Sequence, residues 1–242
     1  MSQPKVELKD LGLIDYKECW DYQTKIFEET VQQKISNRKF PATKAETQNY
    51  LLFCEHPNVY TLGKSGDLKN LLIDKNQRAK KKISFYKINR GGDITYHGPG
   101  QLVIYPILDL DYFFTDIHKY LRFLEESVIL TLKEYGVFGQ RVEGLTGVWI
   151  DAESENPRKI CAIGIKCSRW VTMHGIGFNI NSNLDYFKHI VPCGIEDKSV
   201  TSLQKETHQL IDMEVLKSKF LKNFTSLFKE REGPCVCVCG VL

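Results

Sequence analysis

The sequence predicts an α+β fold, and three features of the 242-residue chain support this prediction. Short runs rich in β-branched and aromatic residues, typical of strands, occupy the middle of the chain. Stretches with apolar residues at helical spacing lie before, among and after those runs. The helices and strands do not alternate as in βαβ units, and no linker rich in Pro, Gly or Ser divides the chain. We therefore expect one domain over residues 1–230, followed by a mobile tail over residues 231–242.

Each element is predicted from its local pattern. Apolar residues at helical spacing predict helices over residues 15–36, 116–135 and 216–228, with Gly136 as a C-cap of the second. Runs of β-branched and aromatic residues predict strands over residues 50–54, 59–62, 84–88, 102–108, 147–150, 160–165, 170–174 and 178–180. Between the first two strands, the sequence Glu55-His56-Pro57-Asn58 is typical of a turn, which accounts for His56 without a catalytic role.

Composition narrows the class of protein. The net charge of +3 is too small to indicate a nucleic-acid partner. No apolar run approaches the length of a membrane span, and no secretory signal follows the first residues, so we expect a cytoplasmic protein that does not associate with membranes. The eight cysteines are scattered through the chain, which favours reduced thiols over a disulfide framework.

The segment of residues 75–82 is strongly basic, with the sequence Lys-Asn-Gln-Arg-Ala-Lys-Lys-Lys. Such a run is most often a solvated loop. Its functional interpretation is a docking surface for an acidic partner. The sequence leaves both interpretations open.

Two motifs suggest ligands that the spacing does not support. Gly63-Lys64-Ser65 resembles the end of a P-loop, but Asn58 stands where the required glycine would be. Cys235, Cys237 and Cys239 alternate along the tail, whereas a zinc site needs paired spacings and a second ligand cluster. We expect neither a nucleotide cofactor nor a metal.

A glycine-rich stretch, Arg90 to Gln101, lies between two predicted strands. Gly91 and Gly92 let backbone amides approach a ligand closely, Arg90 supplies a fixed planar donor, and His97 titrates near neutrality. These residues favour a binding loop held on a sheet. The alternative is an ordinary hairpin turn, because turns also use Gly, Pro and Asp.

Cys193 is the candidate nucleophile. It lies in Val191-Pro192-Cys193-Gly194-Ile195, where Gly194 leaves its amide free to face the group that the sulfur attacks. A cysteine with a pKa of about 8.5 needs a nearby cation or base at neutral pH, and Lys159 at the start of a predicted strand could supply it. A buried structural thiol and a surface lysine remain alternatives. Cys161 and Cys167 are expected to be core thiols.

The glycine-rich stretch resembles the motif of the lipoyl(octanoyl) transferase family of lipoate biosynthesis. Several further segments between about residues 50 and 205 resemble that family in the same order. They are Glu55 to Gly63, Gly147-Val148-Trp149, Lys159 to Gly164, Thr172 to Asn179, Pro192 to Ile195, and Val200 to Leu203. The tail has no counterpart in the resemblance.

The resemblance implies a mixed sheet with flanking helices, like the catalytic domain shared by biotin and lipoate protein ligases. It implies an enzyme that moves an octanoyl group from octanoyl-acyl carrier protein to a lysine of a lipoyl domain. The resemblance implies no cofactor for this enzyme. The acceptors would be the lipoyl domains of 2-oxoacid dehydrogenase complexes and the glycine cleavage H protein. By analogy Cys193 carries the acyl group as a thioester, and Lys159 lowers its pKa. The implied substrate contacts are Arg90, Gly91, Gly92, Asp93, Ile94, Thr95, Tyr96, His97, Ala162, Ile163, Gly164, Gly175, Ile176 and Gly177.

Three other functions are compatible with the sequence. An ATP-dependent lipoate or biotin ligase on the same fold would need no cysteine nucleophile. A Cys-His thioesterase would use His97 or His174 and release free octanoate. An acyl-binding protein would hold the acyl carrier without turnover.

Overall fold

A mixed sheet of seven strands separates two helical layers in the part of the chain that the computed structural model describes, residues 5–191 and 199–228. In chain order, the strands are β1 (Val6–Leu13), β2 (Asn49–Glu55), β3 (Val59–Leu62), β4 (Ser84–Lys87), β5 (Ile94–His97), β6 (Gln101–Ile107), β7 (Val148–Ile150), β8 (Arg158–Ser168), β9 (Val171–Asn179) and β10 (Ser199–Val200). The helices are α1 (Tyr16–Lys39), α2 (Lys75–Lys80), α3 (Ile117–Lys133), α4 (Leu203–Thr207) and α5 (Met213–Leu227).

The seven-stranded sheet runs in the order β1-β2-β6-β9-β8-β10, and β7 also pairs with β8. β1 is parallel to β2 and β10 is parallel to β8, while the other pairs are antiparallel. A second sheet of three strands, in the order β4-β3-β5, carries the glycine-rich stretch. The predicted α+β class with a mixed sheet is confirmed.

Each long helix begins at an aspartate whose carboxylate accepts hydrogen bonds from free amides of the first turn, namely Asp15 for α1, Asp116 for α3 and Asp212 for α5. α1 packs its apolar face, including Phe27 and Val31, on one side of the sheet. α3 and α5 pack together on the other side, where they bury most of the core. All three helices confirm the predictions to within a few residues.

The structure corrects several predicted elements. Residues 170–174 and 178–180 are not two strands but parts of β9, which continues through Gly175 and Gly177. The basic segment is not a loop, because Asp74 and Gln77 form a capping box that starts α2. Residues 94–97, predicted as loop, form β5, and β1 was not predicted.

Among the described residues, no helix has both the length and the apolar character needed to cross a lipid bilayer. The predicted tail, residues 231–242, lies outside the described residues.

The close approach of β6 to β9 makes Gly175 a test of the sheet. A Cβ atom at Gly175 would lie 2.3 Å from the backbone oxygen of Ile104, a contact that neither strand can relieve without moving. Gly175→Ala should therefore lower the free energy of unfolding by about 1–3 kcal/mol, the usual cost of an overpacked core. A urea titration measures this change. Gly91→Ala is the control, since its Cβ would meet nothing closer than 3.5 Å. Equal stability of the two variants would contradict the packing of β9.

Candidate active site

One cavity of about 400 Å³ opens between the glycine-rich stretch and strands β8 and β9. The structure places in its lining the following residues singled out from the sequence: Arg90, Gly91, Gly92, Asp93, Ile94, Thr95, His97, Lys159, Ala162, Ile163, Gly164, Gly175, Ile176 and Gly177. β8 and β9 supply the last six of these through antiparallel pairs such as Ala162 with Gly177 and Gly164 with Gly175. Segments far apart in the sequence thus share one cavity.

Tyr96 is the exception among the predicted substrate contacts. It does not line the cavity. Its ring stacks on Tyr186 with centroids 5.1 Å apart, and its hydroxyl donates a hydrogen bond to Asn58 Oδ1 at 2.7 Å. Neighbouring side chains of a strand point to opposite faces, so Tyr96 packs behind the cavity wall while His97 faces the cavity.

Arg90 is buried and held by backbone oxygens. Its Nη2 donates to the carbonyl oxygen and the hydroxyl of Thr61, at 2.8 and 3.0 Å, and its Nη1 donates to the carbonyl oxygen of Gly91 at 2.9 Å. The Gly91 amide in turn donates to the carbonyl oxygen of Ile165 at 2.8 Å. The planar guanidinium therefore holds the glycine-rich stretch to β3, and the Gly91 amide holds it to β8.

Lys159 lies near the start of β8 with only 8% of its surface exposed. Its ammonium nitrogen is 4.5 Å from the centre of the Trp149 ring, a cation–π contact, and it also lines the cavity. β10 runs parallel to β8 at this point, so Val200 pairs with Lys159. The side chain is buried at the cavity wall rather than on the surface.

Cys193 lies outside the described residues, as does Gly194. The described chain before this segment ends at Val191, whose amide donates to the carbonyl oxygen of Asn70 at 2.8 Å. After the segment, the chain resumes in β10 beside Lys159. Both predicted roles, that of Cys193 as nucleophile and that of Lys159 as its partner, stay predictions.

The other cysteines differ from one another in exposure. Cys161 is fully buried, and burial raises the pKa of its thiol well above the usual value. The prediction of a core thiol is confirmed for Cys161. It is wrong for Cys167, which is exposed near the end of β8, where none of the last seven residues is fully buried.

Several cavity residues were not predicted from the sequence. They are Tyr16, Ser65, Tyr105, Leu121, Gly144, Leu145, Thr146 and Ile165, whereas His174, which also lines the cavity, was named only for the thioesterase alternative. Tyr16 and Leu121 come from helices, where their apolar spacing marked them as core. The predicted turn residue His56 is fully buried beside this cavity, and its Nε2 lies 2.9 Å from the hydroxyl of Tyr105.

Three histidines are kept neutral around the cavity. Burial lowers the pKa of His56 to about 4. Burial, together with the cation of Arg90 and other neighbours, lowers the pKa values of His97 and His174 to about 3. His174 is 2% exposed and has a positive φ of 63°. Within residues 5–191 and 199–228, neither of its ring nitrogens has a hydrogen-bond partner.

Cys19, Cys54 and His56 form the one group of described residues whose potential metal-binding atoms all lie within 4.8 Å of one another. A closed structural zinc site takes four ligands, and this group offers three. The Nδ1 atom of His56 lies 2.8 Å from the carbonyl oxygen of Ile14, which orients the ring. These contacts describe a buried polar cluster behind the cavity wall.

A family model described as the lipoyl protein ligase A/B catalytic domain matches residues 15–225. A protein from Christiangramia forsetii named octanoyltransferase is 60% identical over 226 residues, which cover 93% of this chain and 96% of that protein. A Cytophaga hutchinsonii protein of the same name is 56% identical over 232 residues, 94% of each chain.

Solved structures show the same fold at low sequence identity. A bi-partite lipoate protein ligase from Thermoplasma acidophilum superposes with a TM-score of 0.67 at 14% identity, over 92% of this chain and 83% of that one. Lipoate-protein ligase A bound with ATP gives a TM-score of 0.63 at 16% identity, over 92% and 84%. The predicted likeness to the lipoate ligase fold is confirmed.

Acid should weaken the fold through His174. Its pKa is about 3 in the folded chain and about 6.5 in an unfolded one, so the unfolded chain binds more protons between these pH values. The free energy of unfolding therefore falls as the pH drops through this window. Asparagine tolerates a positive φ, so the variant His174→Asn should keep the backbone conformation. Between pH 6 and 4, the free energy of unfolding of this variant should change less steeply with pH, by up to about 1.4 kcal/mol per pH unit. Denaturant titrations at several pH values measure it.

The control is His118→Asn, because His118 is exposed and solvent surrounds it in both states. The expected result is the slope of the unchanged protein. A His174→Asn slope that equals the control would contradict the burial of a neutral imidazole.

Proposed function

This chain belongs to the lipoyl protein ligase A/B catalytic domain family, and we propose that it transfers an octanoyl group from octanoyl-acyl carrier protein to a lysine of lipoyl domains. The observation that carries the proposal is the shared cavity, which joins the glycine-rich stretch to Lys159 on β8. The relatives named octanoyltransferase, 56–60% identical over most of the chain, support the same acyltransferase class.

The cavity wall suits an acyl chain. Ile163, Ile165 and Ile176 contribute apolar surface, and Gly164, Gly175 and Gly177 also line this wall without adding side chains. The stretch from Ala162 to Ile165 along β8 covers about 10 Å at the usual rise of a strand. We infer that the octanoyl chain lies along this stretch with its thioester toward Lys159.

The proposed reaction has two steps. In the first, the Cys193 thiolate attacks the thioester carbon, and the carrier leaves as a thiol that takes a proton from the Lys159 ammonium. In the second, a lysine amine attacks the acyl-enzyme, its proton passes to Lys159, and the Cys193 thiolate leaves. The buried ammonium stabilises the thiolate in the resting enzyme. Conversion of a thioester to an amide is downhill, so the reaction requires no ATP.

We propose that the acceptors are the lipoyl domains of 2-oxoacid dehydrogenase complexes and the glycine cleavage H protein. This chemistry would make the reaction the first step of protein lipoylation. The family match supports acceptors of the lipoyl-domain class, and the particular acceptors are part of the proposal.

We propose that the acyl carrier docks on a basic surface formed by α2 and the residues after it, Lys75, Arg78, Lys80, Lys81 and Lys82. The four lysines are exposed. Exposed Leu68 and Leu72, 51% and 59% accessible, precede them and add apolar area. A surface that combines exposed cations with apolar side chains suits an acidic protein partner.

This basic surface is connected to the chain that leads to Cys193. Leu71 and Ile190 form an antiparallel bridge, and the amide of Leu72 donates to the carbonyl oxygen of His189 at 2.9 Å. The Asn70 side chain donates to Asp93 in the cavity lining. A carrier docked here would therefore sit close to the segment that bears the proposed nucleophile.

Reversing the charge of this surface should slow association. In the triple variant Lys75→Glu, Lys80→Glu and Lys81→Glu, the association rate with the acidic carrier at low salt should fall about tenfold or more, and its salt dependence should shrink. Stopped-flow fluorescence measures both. A second triple variant, Lys25→Glu, Lys39→Glu and Lys44→Glu, has the same net charge change elsewhere. Equal slowing in the two variants would argue against this docking surface.

The nucleophile is tested by mass spectrometry. Incubation with octanoyl-acyl carrier protein should add one octanoyl group, and peptide mapping should locate it on Cys193. Cys193→Ala should form no adduct and lose transfer, because no other thiol is paired with Lys159 in the proposal. Cys167→Ala is the matched control, since Cys167 is an exposed cysteine of the same chain.

The same experiment separates the other functions. Full transfer by Cys193→Ala in the presence of ATP and octanoate would favour a ligase that activates the acid. Free octanoate as the main product, even with a lipoyl domain present, would favour a thioesterase. Retention of the acyl carrier without any turnover would favour a binding protein.

A further inference from the structure

The hydrogen bonds of Gln101 determine which nitrogen of His97 carries the proton. Gln101 Nε2 donates to the backbone carbonyl oxygen of Tyr96 at 3.1 Å and to Asn179 Oδ1 at 2.8 Å. A backbone carbonyl only accepts hydrogen bonds, so the amide orientation of Gln101 is fixed. Its Oε1 atom, an acceptor, lies 2.7 Å from His97 Nδ1. The neutral ring therefore carries its proton on Nδ1 and a lone pair on Nε2.

The orientation of Asn179 is fixed independently. Its Nδ2 donates to the backbone carbonyl oxygen of Thr201 at 3.0 Å, which turns Oδ1 toward Gln101. The Thr201 amide donates in turn to the backbone carbonyl oxygen of Lys159 at 3.0 Å. A buried chain of hydrogen bonds thus connects His97 to the strand that bears Lys159. It orients the imidazole relative to the proposed reaction centre.

His97 lies beside the Ala162 end of the proposed acyl slot. Its Cε1 atom is 3.4 Å from the point that a Cβ atom of Gly177 would occupy. Gly177 pairs with Ala162, which follows Lys159 by three residues on β8. Among the described residues, the Nε2 atom of His97 has no hydrogen-bond partner, while the ring itself lines the cavity.

The groups around His97 keep it uncharged. The ring stacks on Tyr16 with centroids 5.9 Å apart and meets the edge of His56 at 6.0 Å, and Arg90 and His174 act on it electrostatically. Burial, with positive neighbours, lowers its pKa to about 3. A neutral ring with this tautomer offers a lone pair, not a proton, to the cavity.

The reacting groups differ in what they can offer to that lone pair. The thioester oxygen and the cysteine thiolate only accept hydrogen bonds, whereas the attacking lysine amine has N–H donors. We propose that His97 Nε2 accepts a hydrogen bond from the amine of the acceptor lysine and so directs its lone pair at the acyl-enzyme. Gln101 is the residue that positions His97. This role rests on the proposed octanoyl transfer.

The proton balance agrees with a positioning contact at His97. As the N–C bond forms and the C–Sγ bond of the acyl-enzyme breaks, one amine proton must leave. Lys159, which is neutral after the first step, receives it and again pairs with the thiolate of Cys193. His97 would hold a proton only weakly, so it orients the amine and carries no proton away.

The two half-reactions test this role separately. In His97→Phe, formation of the acyl-enzyme from octanoyl-acyl carrier protein, followed by intact mass, should slow much less than the transfer step. Single-turnover transfer from the isolated acyl-enzyme to a lipoyl domain should fall about 10- to 100-fold, the effect of one lost hydrogen bond to a buried group. His97→Gln should recover part of this loss, because its side-chain oxygen is also an acceptor.

Two outcomes would overturn the role of His97. One is equal slowing of both half-reactions in His97→Phe, which would point to contact with the carrier arm or to a general loss of structure. The other is transfer at the rate of the unchanged protein. Failure of the unchanged protein to form an acyl-enzyme would instead refute the proposed function, and the two failures are distinguishable.

The tautomer is tested without any substitution. The ¹⁵N spectrum of the labelled protein at neutral pH should show His97 protonated at Nδ1 and unprotonated at Nε2. A ring protonated at Nε2 would overturn the proposal, because that nitrogen would then donate rather than accept.

Discussion

The buried guanidinium of Arg90 is the constraint on which the cavity depends. A cation away from water needs its donors satisfied, and Thr61 and Gly91 provide the acceptors. Two glycines make the necessary room. A Cβ atom at Gly63 would lie 2.9 Å from Arg90 Nη1, and one at Gly164 would lie 3.0 Å from Arg90 Cδ. The backbone oxygens of Gly92 and Gly91 lie nearer still, 2.2 Å from the Cβ position of Gly63 and 2.9 Å from that of Gly164, so these glycines make room for both the cation and the glycine-rich backbone.

β8 links the acyl slot to the proposed reaction centre. Its first residues pair with β7 and β10, which enclose the side chain of Lys159. Its later residues pair with β9 and form the wall of the slot. Because a strand has a nearly constant rise, sequence distance along β8 sets the spacing between the backbone of Lys159 and that of each wall residue. In the proposed reaction, one strand would therefore carry both the charge and the wall that the acyl chain contacts.

The sequence was sufficient wherever local pattern decides structure. Helical spacing placed the three long helices, and the residues of the glycine-rich stretch were singled out before their neighbours were known. Gly175 and Gly177 misled the strand prediction, since glycine usually interrupts strands, but here Gly175 permits the approach of β6 and Gly177 the approach of Gln101 and His97. The burial of His56 and the hydrogen bonds of Gln101 depend on distant residues, which no local pattern reveals.

The two cavity histidines also bear on the thioesterase alternative. His174 pairs with Ile165, six residues beyond Lys159 on β8, whereas His97 lies beside Gly177, the partner of Ala162, midway between those two positions. Both imidazoles have pKa values of about 3. A free cysteine thiol titrates near 8.5, well above both values, so moving a proton from a thiol to either ring would be uphill. Lys159 is therefore the better partner for a thiolate in this cavity, and a neutral histidine is better suited to hold an amine than to activate a sulfur.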